Sequence, residues 1–570
     1  MTTALDRYRL WAQHPYFDET TRTELAGIAG DAGDIEERFY KYLEFGTGGL
    51  RGIIGAGTNR MNRYTVRQAA QGLADYIATF GGAAKARGVV IAHDNRRFSP
   101  EFALEAALTL NANGIVAYLW DSLRPTPMLS YAVRKLGTIS GIVVTASHNP
   151  KEYNGFKVYW EDGGQIPPER AASIQQHIRA ADEVTAIAPM DAETARIRGL
   201  LRRVPAAVDN AYYDEVVRLA MTVPAARAAC RILYTPLHGT GSQPVREVLG
   251  LAGFPVSVVA EQAEPDAEFS TIGNPNPEDP GVYTLALEQA RRESPDVILA
   301  TDADADRLGV LARDRHGVYH MLTGNQIGAL LVDYLISSRP IPEDAAVVKT
   351  IATSNMIVPL CREHGVALFE THTGFKFIGD IIGEFEKAGS PTFLIGYEES
   401  YGYLGATFVR DKDAVMAALL VADAVAFYKA QNATLYGALE QLWVRCGHFQ
   451  EALHNVTLVG QEGERRIRAL MESLRQDPPV EIAGIRVAHS DDYWTGVSTD
   501  LAAGTTHALD LGRANVLHYR FADGGFVMVR PSGTEPKLKL YFSVVGRSEA
   551  DANERLNAVR SDMLARMGLD

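Results

Sequence analysis

The chain has 570 residues, several times the length of a typical domain, which predicts about three to five domains with sizeable cores. Lys and Arg number 56 against 70 Asp and Glu, a formal charge of −14; this excludes nucleic-acid and anionic-membrane partners, which need clustered basic residues, but leaves room for a small anion at local positive loops. Three scattered cysteines (Cys230, Cys361, Cys446), a start (Met1 to Gln13) without a basic-then-apolar leader, and a longest apolar run, Ala414 to Tyr428, that Asp423 interrupts predict a soluble, cytoplasmic protein with neither disulfides nor membrane spans.

After a polar helical lead-in, Gly88 to His93 reads as a strand, followed by Ser99 as N-cap, Pro100 at the first helical position and a helix reaching Asn113-Gly114. A strand over Ile115 to Trp120, a helix over Pro127 to Leu136 stopped by Gly137, and a strand over Ile139 to Thr145 complete two strand-helix-strand units of a doubly wound parallel sheet. The same order recurs from Ile232 to Ala300 and again from Asn325 to Ile395, so three α/β domains are expected, 1–203, 204–318 and 319–446. Beyond Gly447 the order changes to strands at Val516 to Phe521, Phe526 to Arg530 and Leu538 to Val545 with a terminal helix from Glu549. That pattern predicts a smaller α+β domain over 447–570. The fold class is therefore α/β, with three doubly wound domains and a C-terminal α+β domain.

Thr145-Ala146-Ser147-His148-Asn149-Pro150 sets a hydroxyl at the exit of the strand Ile142 to Val144. Such a serine serves group transfer when a metal or base activates it, and otherwise satisfies backbone groups at the strand end. His148 follows it directly, although neighbours along a chain usually point apart. At Asp302-Ala303-Asp304-Ala305-Asp306-Arg307, carboxylates occupy every second position after the strand Asp296 to Ala300, and on an extended chain alternate positions share a face. They suit one hard cation. A calcium-binding helix-loop-helix opens likewise but needs Gly sixth and Glu twelfth, where Arg307 and Arg313 stand.

Together with Gly396-Tyr397-Glu398-Glu399-Ser400-Tyr401-Gly402 and Arg530-Pro531-Ser532-Gly533-Thr534-Glu535-Pro536-Lys537, these segments resemble the alpha-D-phosphohexomutase superfamily, in the order of its four active-site loops. Leu43 to Gly52 and Tyr234 to Thr240 make the chain most similar to the phosphoglucomutase and phosphopentomutase branch. The resemblance implies four domains around a cleft and a reaction that moves phosphate between two hydroxyls of a sugar through a bisphosphate such as glucose 1,6-bisphosphate. It implies that Ser147 becomes a phosphoserine and, with Asp302, Asp304 and Asp306, holds Mg2+. His148 is then assigned positioning, and Lys157 general acid/base work with a depressed pKa or stabilisation of developing charge. Glu398 and Ser400 are expected to hold sugar hydroxyls, with Gly374, Lys376 and Lys412 in further substrate loops. Arg530, Ser532, Gly533, Thr534 and Lys537 suit the non-transferring phosphate, while Arg51 and Arg307 add positive charge. Tyr401 follows Ser400 where the bacterial phosphomannomutase/phosphoglucomutase group has histidine. Glucose is the leading sugar, with pentose and mannose as alternatives; a hexose-bisphosphate synthase and a non-catalytic sensor are rival activities.

Overall fold

Val89-Val90-Ile91-Ala92-His93 and Val297-Ile298-Leu299-Ala300-Thr301 are buried along their whole length, as strands covered on both faces must be. The structure, a computed structural model, describes residues 3–46, 48–180, 184–458, 460–532 and 537–569. It divides into two compact units, residues 1–322, 379–388 and 400–434, and residues 323–378, 389–399 and 435–570.

The first unit contains two sheets. One comprises β1 (Gly49–Ile53), β2 (Val89–His93), β3 (Ala117–Leu119), β4 (Ser140–Val144), β5 (Tyr153–Trp160) and β6 (Leu201–Arg203), in the order β1-β5-β4-β2-β3-β6. Strands β4, β2, β3 and β6 are parallel, and helices Ser99–Ala112 and Thr126–Leu136 make the crossovers. The second helix ends at Gly137 in the left-handed conformation, φ 66°. Two details depart from the sequence reading. Ser99 is the first helical residue rather than the cap; Phe98 precedes it at φ 63°, and the Ser99 hydroxyl donates to Asp94 Oδ1 at 2.6 Å. The sheet is also not purely parallel, because β5 and β1 extend it antiparallel. Glycine permits this edge. At Gly49, φ 146°, a Cβ would lie 1.9 Å from the Phe156 carbonyl oxygen.

The other sheet has β7 (Ile232–Thr235), β8 (Val256–Val258), β9 (Val297–Thr301), β10 (Leu308–Arg313) and β11 (Tyr319–Met321), in the order β11-β10-β9-β7-β8. Strands β8, β7 and β9 are parallel, while β10 and β11 run antiparallel. Helix Ala414–Lys429 also belongs to this unit and is buried on nearly every face, as its continuous apolar composition requires. Its one acid, Asp423, accepts hydrogen bonds from Met221 N and the Thr222 hydroxyl.

In the second unit β12 (Ala345–Thr350) pairs in parallel with β13 (Ala367–Thr371) and β14 (Thr392–Glu398). Helix Gly324–Ser337 opens with a capping box between Thr323 and Gln326. The C-terminal strands are antiparallel throughout. His448–Thr457 lies beside Lys537–Gly546, then follow Phe526–Pro531, Leu517–Phe521 and Ile485–Asp492. Helix Glu549–Arg566 sets Val559 and Met563 in a core with Leu517, Val527 and Leu540. Three α/β domains and a distinct C-terminal domain therefore make up the chain. Among the described residues no helix is long and apolar enough to cross a membrane.

Candidate active site

Ser147 stands three residues beyond β4, and its backbone adopts φ 52°, a conformation that costs a non-glycine residue about 1–3 kcal/mol. The turn buries the side chain and aims it at the loop after β9: Ser147 Oγ donates to Asp302 Oδ2 at 2.6 Å. His148 does not point away. The same turn brings its Nδ1 to 3.2 Å from Ser147 Oγ, and burial, with Arg307 and Arg51 nearby, holds the imidazole pKa well below its ordinary value.

Asp302, Asp304 and Asp306 are buried, with carboxylate oxygens within 4.8 Å of one another. Their convergence does not come from extended alternation. Residues 302–306 form a turn with Ala305 at φ 48°, and Asp302 Oδ1 accepts from the backbone N–H groups of Asp306 and Arg307, each at 3.1 Å. Burial and repulsion from Asp306 and Asp304 push the Asp302 carboxyl well above its usual range. Burial acts the same way on Asp306, but Lys412, Lys157 and Arg307 outweigh it and hold that group low. Asp304 Oδ1 and Asp306 Oδ1 are buried without a hydrogen-bond partner. Crowded carboxylates with two orphaned oxygens fit a hard divalent cation.

Two lysines flank the cluster. Lys157, on β5, places Nζ 2.6 Å from Asp304 Oδ2 and 3.5 Å from Asp306 Oδ2. Burial lowers its pKa, but Asp304 and Asp306 more than offset this, leaving it above the ordinary lysine value. The depressed pKa expected for proton exchange is thus not what this arrangement gives, and the ammonium is a charge partner. Lys412 Nζ lies 3.2 Å from Asp306 Oδ2 and 3.0 Å from Asp411 Oδ1. Arg307 Nη1 pairs with Glu278 at 2.8 Å, and Arg51, on β1, donates to Asn149 Oδ1 at 2.9 Å in the serine loop. Ser400 is half-buried and precedes Tyr401, whose φ is 65°. Thr126 escapes sequence reasoning: its hydroxyl donates to Asp304 Oδ2 at 2.7 Å from 178 positions away. Only its place between two prolines at a helix start hinted at it.

In the second unit, Glu398 ends β14 and its Oε1 accepts from Gly374 N at 2.8 Å. Glu399 Oε2 accepts from Thr350 and Thr353 at 3.3 and 3.4 Å. Burial, then Glu399, raise the Tyr541 pKa, with Glu398 adding to the effect and nearby Arg530 opposing it. Arg530, Glu398 and Glu399 thus share one electrostatic neighbourhood. Lys376 Nζ lies 5.2 Å from the centre of the Phe377 ring, and Ser532 N donates to Lys537 O at 2.8 Å. Gly533 and Thr534 lie outside the described residues.

Four sequence signatures described for phosphoglucomutase/phosphomannomutase match in succession: alpha/beta/alpha domains I, II and III over residues 42–185, 210–317 and 323–446, and the C-terminal domain over 467–566. The chain belongs to the phosphoglucomutase/phosphomannomutase family. Within this family it is 37% identical over 530 residues to the phosphoglucomutase of Staphylococcus aureus strain MRSA252, covering 92% of this chain and 94% of that one. Identity to the Staphylococcus haemolyticus phosphoglucomutase is 38% over 514 residues, with 89% and 91% covered. Among solved family folds, a putative phosphomannomutase from Thermus thermophilus superposes with a TM-score of 0.66 at 22% identity over 93% of this chain and 99% of that one. Paramecium parafusin, a phosphoglucomutase in an open form, gives 0.66 at 20% identity, covering 93% and 96%.

Proposed function

We propose that the protein is a phosphoglucomutase acting in the cytoplasm, interconverting glucose 1-phosphate and glucose 6-phosphate with Ser147 as the phosphoryl carrier and glucose 1,6-bisphosphate as the intermediate. The observation that carries this reading is the buried Ser147 hydroxyl, 2.6 Å from one member of a three-aspartate cluster. Near-full-length similarity to proteins named phosphoglucomutase supports glucose over pentose or mannose. Asp302, Asp304 and Asp306, with the Ser147 oxygen, are assigned to Mg2+, which when bound supplies Lewis-acid polarisation of a phosphoryl group.

In the first half-reaction the bond from Ser147 Oγ to phosphorus breaks as a sugar hydroxyl oxygen bonds to that phosphorus. The proton released by the sugar hydroxyl is balanced by the one Ser147 Oγ regains, and the neutral His148 Nδ1 at 3.2 Å orients that oxygen. Lys157 keeps its proton, and it and Lys412 offset negative charge at the carboxylates. Glu398, with Gly374 and Lys376, is assigned to sugar hydroxyls, which keeps the same hydrogen-bond pattern when the bisphosphate turns end for end; Ser400 is a further candidate for a sugar hydroxyl. Arg530, Ser532, Gly533, Thr534 and Lys537 are assigned to the phosphate that is not reacting, and Arg51 and Arg307 bring positive charge beside the serine loop and the aspartates. The second half-reaction reverses the first on the other phosphate. A coupled assay with glucose 1-phosphate, ribose 1-phosphate and mannose 1-phosphate, each primed with its bisphosphate, tests the reading. Glucose 1-phosphate is expected to give the highest kcat/KM; a higher value for ribose or mannose, or no turnover of any, overturns it.

A further inference from the structure

Beneath the serine loop lies a guanidinium that no step above uses. Arg96, three residues beyond β2, is 1% exposed. Its Nη2 donates to the carbonyls of Ser147 and Asn149, each at 2.6 Å, and its Nη1 to those of Pro150 at 2.8 Å and Tyr153 at 3.1 Å. The two terminal nitrogens carry four N–H hydrogens, and here they meet four carbonyls between Ser147 and Tyr153, the first residue of β5. Asp94, fully buried, faces Nε with Oδ2 at 3.2 Å, and its Oδ1 accepts from Arg96 N at 2.9 Å and Ser99 Oγ at 2.6 Å. Phe269 covers the guanidinium, 5.2 Å from ring centre to the guanidinium carbon.

We propose that Arg96, braced by Asp94, is the positioning residue that holds Ser147 in its left-handed turn and so fixes the phosphoryl carrier against Asp302. The physical reason lies in the peptide planes. A trans peptide points its C=O and N–H in opposite directions, so drawing the Ser147 carbonyl down onto Arg96 turns the His148 N–H the other way. That N–H has no acceptor among the described residues, which leaves it free for the oxygens of a phosphoryl group on Ser147. A lysine cannot replace the fork, since its three hydrogens radiate from one nitrogen and cannot reach four spread carbonyls.

The inference rests on Ser147 being the carrier, and two readouts separate it from that reading. In Arg96→Lys, kcat per folded molecule is expected to fall about 100-fold, the scale of a misplacement near 1 Å, with KM for glucose 1-phosphate within about 3-fold of wild type. Amide hydrogen exchange over residues 146–154 should quicken at least about 10-fold while β2 and β4 keep their protection. Asp94→Asn retains the Oδ1 contacts and all four carbonyl bonds, so it should lose activity by less than Arg96→Lys. Exchange needs no turnover and is read even if wild type proves inactive on every sugar phosphate. Unchanged exchange over 146–154, or activity loss that vanishes once the folded fraction is corrected for, overturns the proposal.

Discussion

Lys157→Met replaces a buried ammonium by an apolar side chain of similar length. Nζ sits 2.6 Å from Asp304 and 3.5 Å from Asp306, and the lysine side chain is 12% exposed while those of its partners are 0% and 3% exposed. Solvent therefore screens these charges little. Two such charges about 4 Å apart attract by about 4 kcal/mol at an effective dielectric of 20. Breaking a buried pair by deleting one partner costs about 3–5 kcal/mol, because the remaining charge is left uncompensated. Without metal, the first unfolding transition of Lys157→Met should be less stable by about 3 kcal/mol or more, read as the urea midpoint shift multiplied by the slope. Mg2+ should recover more stability in the variant than in wild type, since a cation among the same carboxylates replaces the lost charge. That gain grows as the logarithm of ligand concentration and reaches about 4 kcal/mol at a thousandfold excess over Kd. Equal stability of variant and wild type in EDTA, or an equal response of both to Mg2+, would mean that Lys157 does not compensate these carboxylates.

Asp302→Asn removes one charge from the cluster and weakens the acceptor of the Ser147 hydroxyl, so turnover should drop by orders of magnitude and the Mg2+ requirement rise, measured by titrating activity with the metal. Glu398→Gln keeps the size but loses the charge, and the half-saturating glucose 1-phosphate concentration should rise by about 1–3 kcal/mol in free energy; unchanged kinetics would move the sugar contact elsewhere. Burial pushes Asp413 up to about 7 from 3.8, although Met416 N and Tyr212 donate to it. The folded form then binds this proton more tightly than the unfolded chain, so stability present below about pH 4 is lost as pH rises towards 7. At about 1.4 kcal/mol per pH unit, the loss is roughly 4 kcal/mol across that window. Asp413→Asn should flatten this slope in urea melts at pH 4, 5.5 and 7, and an unaltered slope would count against it.

The parallel strands β2, β4 and β9 were legible because each is an apolar run buried on both faces, bounded by turn residues. Strands β1 and β5 were not, since their glycines, Gly49 and Gly155, serve close backbone approach and interrupt both periodicities. The serine and the aspartates were visible as motifs, yet the way they meet was hidden. Ser147 and Ala305 adopt positive φ, and that turns His148 beside the serine and folds the aspartates together. Arg96 and Thr126 left little trace, because each acts on a partner distant in sequence, 51 positions from Ser147 and 178 from Asp304. The antiparallel C-terminal domain was read from its last three strands and terminal helix. Its earlier strands, such as Ile485–Asp492, carry half-exposed polar residues that mask alternation.

Ser147→Ala deletes a single oxygen from a buried turn and leaves Arg96 and the three aspartates in place. Measuring glucose 1-phosphate turnover by this variant, with the mass of the Ser147 peptide from active wild-type protein, tests the proposed reaction most directly. The expected result is a folded variant without mutase turnover and one phosphate on the wild-type peptide. Near-normal turnover by the alanine variant would contradict it.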